Sequence, residues 1–472
     1  MIRTKIVATV GLASRDRKTL ADLAKAGCDV FRVNFSHGTV QDHALALRGI
    51  REVEQEMGSP LAVLADLCGP KIRVGPIGGS SVRLTEGDTI IIQRQPIEGT
   101  AGRISTTLAE LVDQARAGQD LLLDDGKIRL RVVQVRPGDG IVCEIVVGGV
   151  LSSGKGINLP HTQLGIPALT EKDRADAAWI AGQAFDYVAL SFVRSPTDVL
   201  DLRKVLAQAG SGAHVIAKIE KPQALESIEA IIDAADGIMV ARGDLGVEMD
   251  LPAVPIAQKR ITRLCQRAGK PCIVATQMLE SMIHSPTPTR AEVSDVANAV
   301  LDQADAVMLS GETAVGEYPV QAVEMMNRIA RAVEAAHDPA DAAICMPVAG
   351  AEVPAAIASA VRELMSRLDI AAVAVFTISG ATARLLSKSR LNRPILAMSP
   401  EMASVRRMCL YYGVVAAHQT EPPVHTRDIL AIASRLAVEQ RLARSGQLLL
   451  VISGRPIGEP GNTNTLVVHT IP

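Results

Sequence analysis

A chain of 472 residues is too long for one hydrophobic core, so two or three domains are expected. Its composition is 48% hydrophobic but only 2% aromatic, which describes an aliphatic core suited to buried parallel strands under helices. A formal net charge of -2 argues against a nucleic-acid or anionic-membrane partner.

The first apolar run, Ile6–Val10, lies in Met1–Gly11. Ser14-Arg-Asp-Arg-Lys18 follows too soon for a signal peptide, so the run reads as a strand. Further strands are expected at Val30–Phe35, Leu61–Asp66, Tyr187–Phe192, His214–Glu220, Gly237–Arg242, Pro271–Gln277 and Ala306–Gly311. Helical periodicity separates most of them, as in Thr19–Ala26, His43–Met57, Thr197–Gln208, Gln223–Ala234 and Ala257–Ala268, and Pro319–Ala336 closes the set. The pattern predicts a (β/α)8 TIM barrel, occupying residues 1–69 and 166–338. Between the third and fourth strands, residues 70–165 carry alternating runs (Val82–Thr85, Thr89–Gln93, Lys127–Val135, Ile141–Val147) and turn signals such as Pro137-Gly-Asp-Gly140. They predict an inserted all-β domain placed to act as a lid. After Asp338-Pro339, residues 345–472 predict a separate open α/β domain, with helix Pro354–Arg367 and strands at Ala371–Ile378, Ile395–Met398, Val414–Ala417, Leu448–Ser453 and Leu466–Thr470. No run approaches membrane-spanning length. Seven cysteines without metal-type spacing read as free thiols of a reducing cytoplasm.

Function in such barrels collects at the C-terminal strand ends. Here these ends carry Arg32, Asn34, Ser36 and His37, then Asp66, Lys218, Glu220, Asp244, Thr276 and Ser310. Lys218 and Glu220 share one side of their strand. Glu220 and Asp244 offer hard oxygen ligands to Mg²⁺ or Mn²⁺, and Arg32 and Lys218 offer fixed cations to phosphoryl oxygens. The bland alternative is a buried ion pair of Lys218 with Glu220 or Asp244. A metal with two cations suits phosphoryl transfer or enolate chemistry. The Gly-x-x-x-x-Gly-Lys-Ser/Thr phosphate loop is absent.

The residues resemble those of the pyruvate kinase family. The resemblance is carried by Thr4–Gly11, Arg32-Val-Asn-Phe-Ser-His-Gly38, Gly69-Pro-Lys-Ile-Arg73 and Lys155-Gly-Ile-Asn-Leu-Pro160. It continues through Leu190–Val193, Lys218-Ile-Glu-Lys221, Arg242-Gly-Asp-Leu-Gly-Val-Glu248, Ala275–Ser281, Pro288–Glu292 and Met308–Ala314, along nearly the whole chain, and looks bacterial in type.

The resemblance implies transfer of the phosphoryl group of phosphoenolpyruvate to ADP, giving pyruvate and ATP, in a cytoplasmic homotetramer. Glu220 and Asp244 would hold Mg²⁺ (or Mn²⁺), with a second ion arriving on ADP. Lys218 would stabilise the phosphoryl group in flight and the enolate. Gly243, Asp244 and Thr276 would receive the substrate carboxylate, and Arg32 would face the phosphate. Asn34, His37, Arg73 and Lys155 would lie toward the nucleotide. Thr276 and Ser310 would flank a water relay to the enolate carbon. His37 could instead cap a turn, Lys155 could be a plain surface lysine, and Ser310 a helix cap.

Leu12 stands where the family usually has proline. Potassium-dependent members read Asp-Thr-Lys-Gly-Pro-Glu where this chain has Asp66-Leu-Cys-Gly-Pro-Lys71. Asn34, Ser36, Asp66 and Leu67 match the potassium-binding region, and Leu67 supplies no side-chain oxygen. Lys71 is expected to pair with Asp66 in place of K⁺, so K⁺ is not required. Thr377–Thr382 resembles a phosphate loop for a phosphorylated effector, held by Ser379, Gly380 and Thr382. Ala381 replaces a basic residue there, and Arg455 could supply the charge. Two alternatives are a metal-dependent phosphoenolpyruvate or pyruvate lyase, and a non-catalytic paralogue.

Overall fold

The computed structural model describes residues 2–160, 166–336, 352–457, 459 and 462–472. The end of the insert, read at residue 165, and the junction at Asp338-Pro339 lie outside them.

Eight parallel strands close a barrel in sequential order: Lys5–Val10, Val30–Asn34, Ala62–Asp66, Tyr187–Leu190, His214–Ile219, Gly237–Ala241, Cys272–Ala275 and Ala306–Leu309. The first and third end where expected, at Val10 and Asp66, and the other six stop one or two residues short of their expected C-terminal ends, where the chain turns into loops. Side chains alternate across each strand. Val7, Leu64, Ile216, Met239 and Met308 fill the barrel interior, while Ile6, Ala8, Phe31 and Val33 pack outward under the helices. The segment expected as one helix over Gln223–Ala234 is two, Gln223–Glu226 and Ile228–Ala234, broken at Ser227.

The insert leaves the barrel at Gly69. Its φ is +69°, and an added Cβ would lie 2.8 Å from both Ser191 Cβ and the Phe192 ring, so the position requires glycine. Beyond it, strands Ile157–Asn158, Asp120–Leu123, Ile128–Arg136, Gly140–Val147, Thr89–Gln93 and Arg103–Ser105 form one sheet, in that order. Gly149–Ser152 pairs with Ser81–Leu84 in a second, two-stranded sheet. Ile90, Ile92, Leu130, Ile141 and Cys143 lie in the insert's own core.

The C-terminal domain orders its strands Val414–His418, Ile395–Ser399, Ile370–Phe376, Leu448–Gly454 and Thr463–Thr470, and only the last is antiparallel. It sits against the bottom of the barrel. Lys388 and Arg390 both pair with Asp305 there, and all three are buried. Asp305 also accepts the Cys272 amide at 2.7 Å. Arg406 reaches Glu54, and the Tyr187 hydroxyl donates to the Arg407 carbonyl at 2.5 Å. Among the described residues no helix is long and apolar enough to cross a membrane.

Candidate active site

The barrel mouth is built around Asp66. Strand register sets Thr9 beside Arg32 and Asn34 beside Asp66. Arg32 Nε lies 2.6 Å from Asp66 Oδ2, and Arg32 Nη1 donates to Thr9 Oγ1 at 3.0 Å. From the other side, Lys218 Nζ lies 3.1 Å from Asp66 Oδ1 and 2.9 Å from Glu220 Oε1, and donates to Ser191 Oγ at 2.6 Å. Burial opposes the Asp66 charge, yet Lys218 and Arg32 overcome that cost and hold the carboxyl below its ordinary range. Burial would likewise lower Lys218, but Asp66 and Glu220 outweigh it and raise the ammonium above the usual lysine value. Lys218 is therefore a fixed cation rather than a proton acceptor. Thr9 and Ser191, which orient the two cations, carry no role in the sequence reading. The strand register of Thr9 against Arg32 is the signal that could have found the first of them.

Glu220 is 1% exposed and accepts the Phe192 amide at 2.8 Å, from a residue held at φ +56°. Burial raises its proton affinity, Lys218 opposes that, and the nearby Asp244 charge adds to the rise. The two carboxylates thus repel, a repulsion that a hard divalent ion between them would relieve. No group of three His, Cys, Asp or Glu side chains suited to a metal exists among the described residues. Glu220 and Asp244 would leave the remaining positions to water and substrate oxygens, as Mg²⁺ prefers.

Asp244 lies in the first turn of the short helix Arg242–Glu248, which opens directly after the sixth barrel strand. The Gly243 amide donates to Thr276 Oγ1 at 2.8 Å. Thr276 and Gln277 are consecutive left-handed residues at φ +69° and +54°. Arg242 clamps this turn, donating to the Thr276 carbonyl at 2.8 Å while paired with Asp295 at 2.7 Å. Ser310 Oγ is buried without a hydrogen-bond partner among the described residues. A cleft of about 800 Å³ between insert and barrel is lined by Lys71, Arg129, Asp244, Thr276 and Ser310, among others.

The expected pair of Lys71 with Asp66 does not form. Asp66 is already enclosed by Arg32 and Lys218, and Lys71 Nζ instead lies 3.4 Å from Asp244 Oδ1. Leu67 is buried. Asn34 Oδ1 accepts the Ser36 amide at 3.0 Å. His37 is exposed at the rim, where partial burial, Arg73, Lys71 and Arg32 all hold its ring below the ordinary histidine value. Arg73 donates to the Gly154 carbonyl at 2.9 Å, and Lys155 pairs with Asp124 at 2.8 Å, so both are tied within the insert.

Residues 1–323 match the family model "Pyruvate kinase, barrel domain", and residues 355–469 match "Pyruvate kinase, alpha/beta domain". The chain belongs to the pyruvate kinase family. It is 45% identical to a pyruvate kinase of Agrobacterium vitis, covering 99% of this chain and 97% of the relative. It is 43% identical to one of Methylorubrum extorquens, covering 98% and 96%. A crystal structure of a pyruvate kinase from Cryptosporidium parvum superposes with a TM-score of 0.92 at 33% identity, covering 100% of this chain and 96% of that one. As a pyruvate kinase, the chain is a phosphotransferase, and the family in general uses Mg²⁺.

In the C-terminal domain, the Gly380 amide donates to Thr377 Oγ1 at 3.1 Å and the Ala381 amide to Ser379 Oγ at 3.4 Å. Thr382 Oγ1 meets Thr463 Oγ1 at 2.5 Å, and Thr463 pairs with Gly454, the neighbour of Arg455. The Arg455 side chain turns away to Thr426 and lines a recess of about 530 Å³ with His425 and Arg427. The two halves of the expected effector site are thus adjacent in backbone, while Ser379, Gly380 and Thr382 do not line that recess.

Proposed function

We propose that this protein carries out the family's reaction, transferring the phosphoryl group of phosphoenolpyruvate to ADP, with the barrel mouth as its active site. The observation that carries the assignment is Lys218, a buried ammonium held by Asp66, Glu220 and Ser191 beside Arg32 and the Glu220–Asp244 pair. A divalent ion held by Glu220 and Asp244 supplies a Lewis acid for the substrate's oxygens. Lys218 and Arg32 bind the phosphoryl oxygens, and their fixed positions favour the charge that develops as the group leaves. The Gly243 and Asp244 amides at the helix start, with Thr276 Oγ1, receive the substrate carboxylate, which displaces the hydrogen bond between Gly243 and Thr276. Ser310 Oγ stands free to hold a water that carries a proton to the enolate carbon.

The nucleotide would be gripped by Arg73, Lys155, Asn34 and His37 under the insert, with a second Mg²⁺ arriving on ADP. Leu67 and Lys71 support activity without K⁺, since one potential oxygen ligand is replaced by alkyl and an ammonium stands nearby. A phosphorylated effector would bind between Ser379, Gly380, Thr382 and Arg455, supported by the Thr382–Thr463 link. Homotetramer assembly and a cytoplasmic location follow the family. We keep the domain limits 1–69, 70–165, 166–338 and 345–472 as a proposal, supported at the first boundary by the departure of the insert from the barrel at Gly69.

A coupled assay with lactate dehydrogenase tests the reaction. Pyruvate and ATP should form in equal amounts and only with ADP present. Consumption of phosphoenolpyruvate or pyruvate without ADP would instead favour the lyase reading.

A further inference from the structure

Glu248 closes the helix that carries Asp244, and nothing in the reaction above uses it. Its carboxylate is 2% exposed. One oxygen, Oε1, takes two donors: Asn158 Nδ2 at 2.9 Å and Lys221 Nζ at 2.5 Å. Asn158 belongs to Ile157–Asn158, the strand by which the insert returns toward the barrel, paired with Asp120–Leu123. Lys221 follows Glu220 directly, and its ammonium lies 6.0 Å from the ring of Phe192, the residue whose amide holds Glu220. Three segments therefore meet on one buried oxygen: the helix of Asp244, the loop of Glu220, and the exit strand of the insert.

We propose that Glu248 is a positioning residue that sets the distance between the two metal-binding carboxylates and couples it to the seating of the insert. Its charge holds Lys221, an ammonium one residue from Glu220, on the Glu248 carboxylate. Its bond to Asn158 makes the placement of the Asp244 helix depend on where the insert sits. A buried carboxylate shared by two donors ties these segments more tightly than solvent-facing pairs would, because losing either donor leaves a buried charge underpaired. The inference rests on Glu220 and Asp244 being the metal site.

The test uses Mn²⁺ alone, titrated against the full-length protein and followed by electron paramagnetic resonance, together with amide hydrogen exchange at residues 155–159. E248Q keeps the size and an acceptor oxygen but loses the charge. It should raise the Mn²⁺ dissociation constant at least threefold and speed exchange at 155–159. N158A removes only the tie to the insert. It should speed the same exchange, raise KM for ADP and raise the Mn²⁺ dissociation constant by less than E248Q does. E248Q with unchanged Mn²⁺ affinity and unchanged exchange overturns the proposal. If E248Q does not fold, N158A decides: unchanged exchange and unchanged KM for ADP overturn it. An unmodified protein that binds no Mn²⁺ refutes the metal assignment itself, a result distinct from either.

Discussion

Lys71 Nζ lies 3.4 Å from Asp244 Oδ1, so a cation at the base of the insert stands against a carboxylate proposed to bind the divalent ion. The contact lies in the cleft between insert and barrel and places positive charge there. Lysine is a compact charge on a flexible stem, and it can swing from Asp244 once a divalent ion claims that carboxylate. Full activity is expected in buffer free of K⁺ and Na⁺. Lys71→Glu should lower turnover there by about tenfold or more, about 1.4 kcal/mol, and K⁺ should restore part of it. Strong activation of the unmodified protein by K⁺ would refute this reading.

Asp244 is the more accessible of the two carboxylates proposed to hold the metal, and its removal would leave Glu220 as the one proposed ligand. Asp244→Ala should weaken Mn²⁺ binding and reduce kcat/KM by at least about 3 kcal/mol in transition-state terms. Near-normal turnover of this variant at low Mg²⁺ would remove Asp244 from the metal site.

Lys218 is held in its protonated form, so it should contribute no basic limb to the rate profile below pH 9. Lys218→Met should cut kcat by about 10²-fold or more while phosphoenolpyruvate still binds, since the ammonium acts on charge that develops during transfer. The variant should also be less stable by about 3–5 kcal/mol, because Asp66 and Glu220 lose a buried partner. Equilibrium binding and denaturant melts separate the two effects.

Acid sensitivity should arise partly far from the mouth. His214 begins the fifth barrel strand, and burial holds its ring down to about 4, with Arg407, Arg384 and Arg203 reinforcing and Asp236 opposing. A histidine depressed in the folded state favours folding fully above its unfolded value near 6.5, and that contribution is lost as pH falls toward 4. The loss should approach about 3 kcal/mol across this window. His214→Gln should flatten the fall in unfolding free energy between pH 7 and pH 5, measured by urea denaturation. An unchanged slope would assign the acid sensitivity to other groups.

The barrel was legible because each strand is an apolar run long enough to register, and the polar C-terminal ends fall at one rim because the strands run parallel. The insert's strands Arg103–Ser105, Gly149–Ser152 and Ile157–Asn158 were not, being too short to show a period of two. The break at Ser227 carries no glycine, and the only proline nearby, Pro222, stands before the first helix. At the site, residue types pointed to Lys218, Glu220 and Asp244, but partners across the fold are not written in spacing. Lys71 meets Asp244 rather than Asp66 because Arg32 and Lys218 occupy Asp66 first. Glu248 stood in plain view in Arg242–Glu248, and its significance comes from Asn158, a residue on the other side of the cleft.

The Asp305 cluster bears on how this chain can be recombined. One carboxylate from the barrel floor pairs with two cations, Lys388 and Arg390, that belong to the other domain. A chimera that imports the C-terminal half of a relative must import matching cations at those two places, or it buries an anion with no counter-charge. The floor of the barrel is a seam whose two sides must be inherited together.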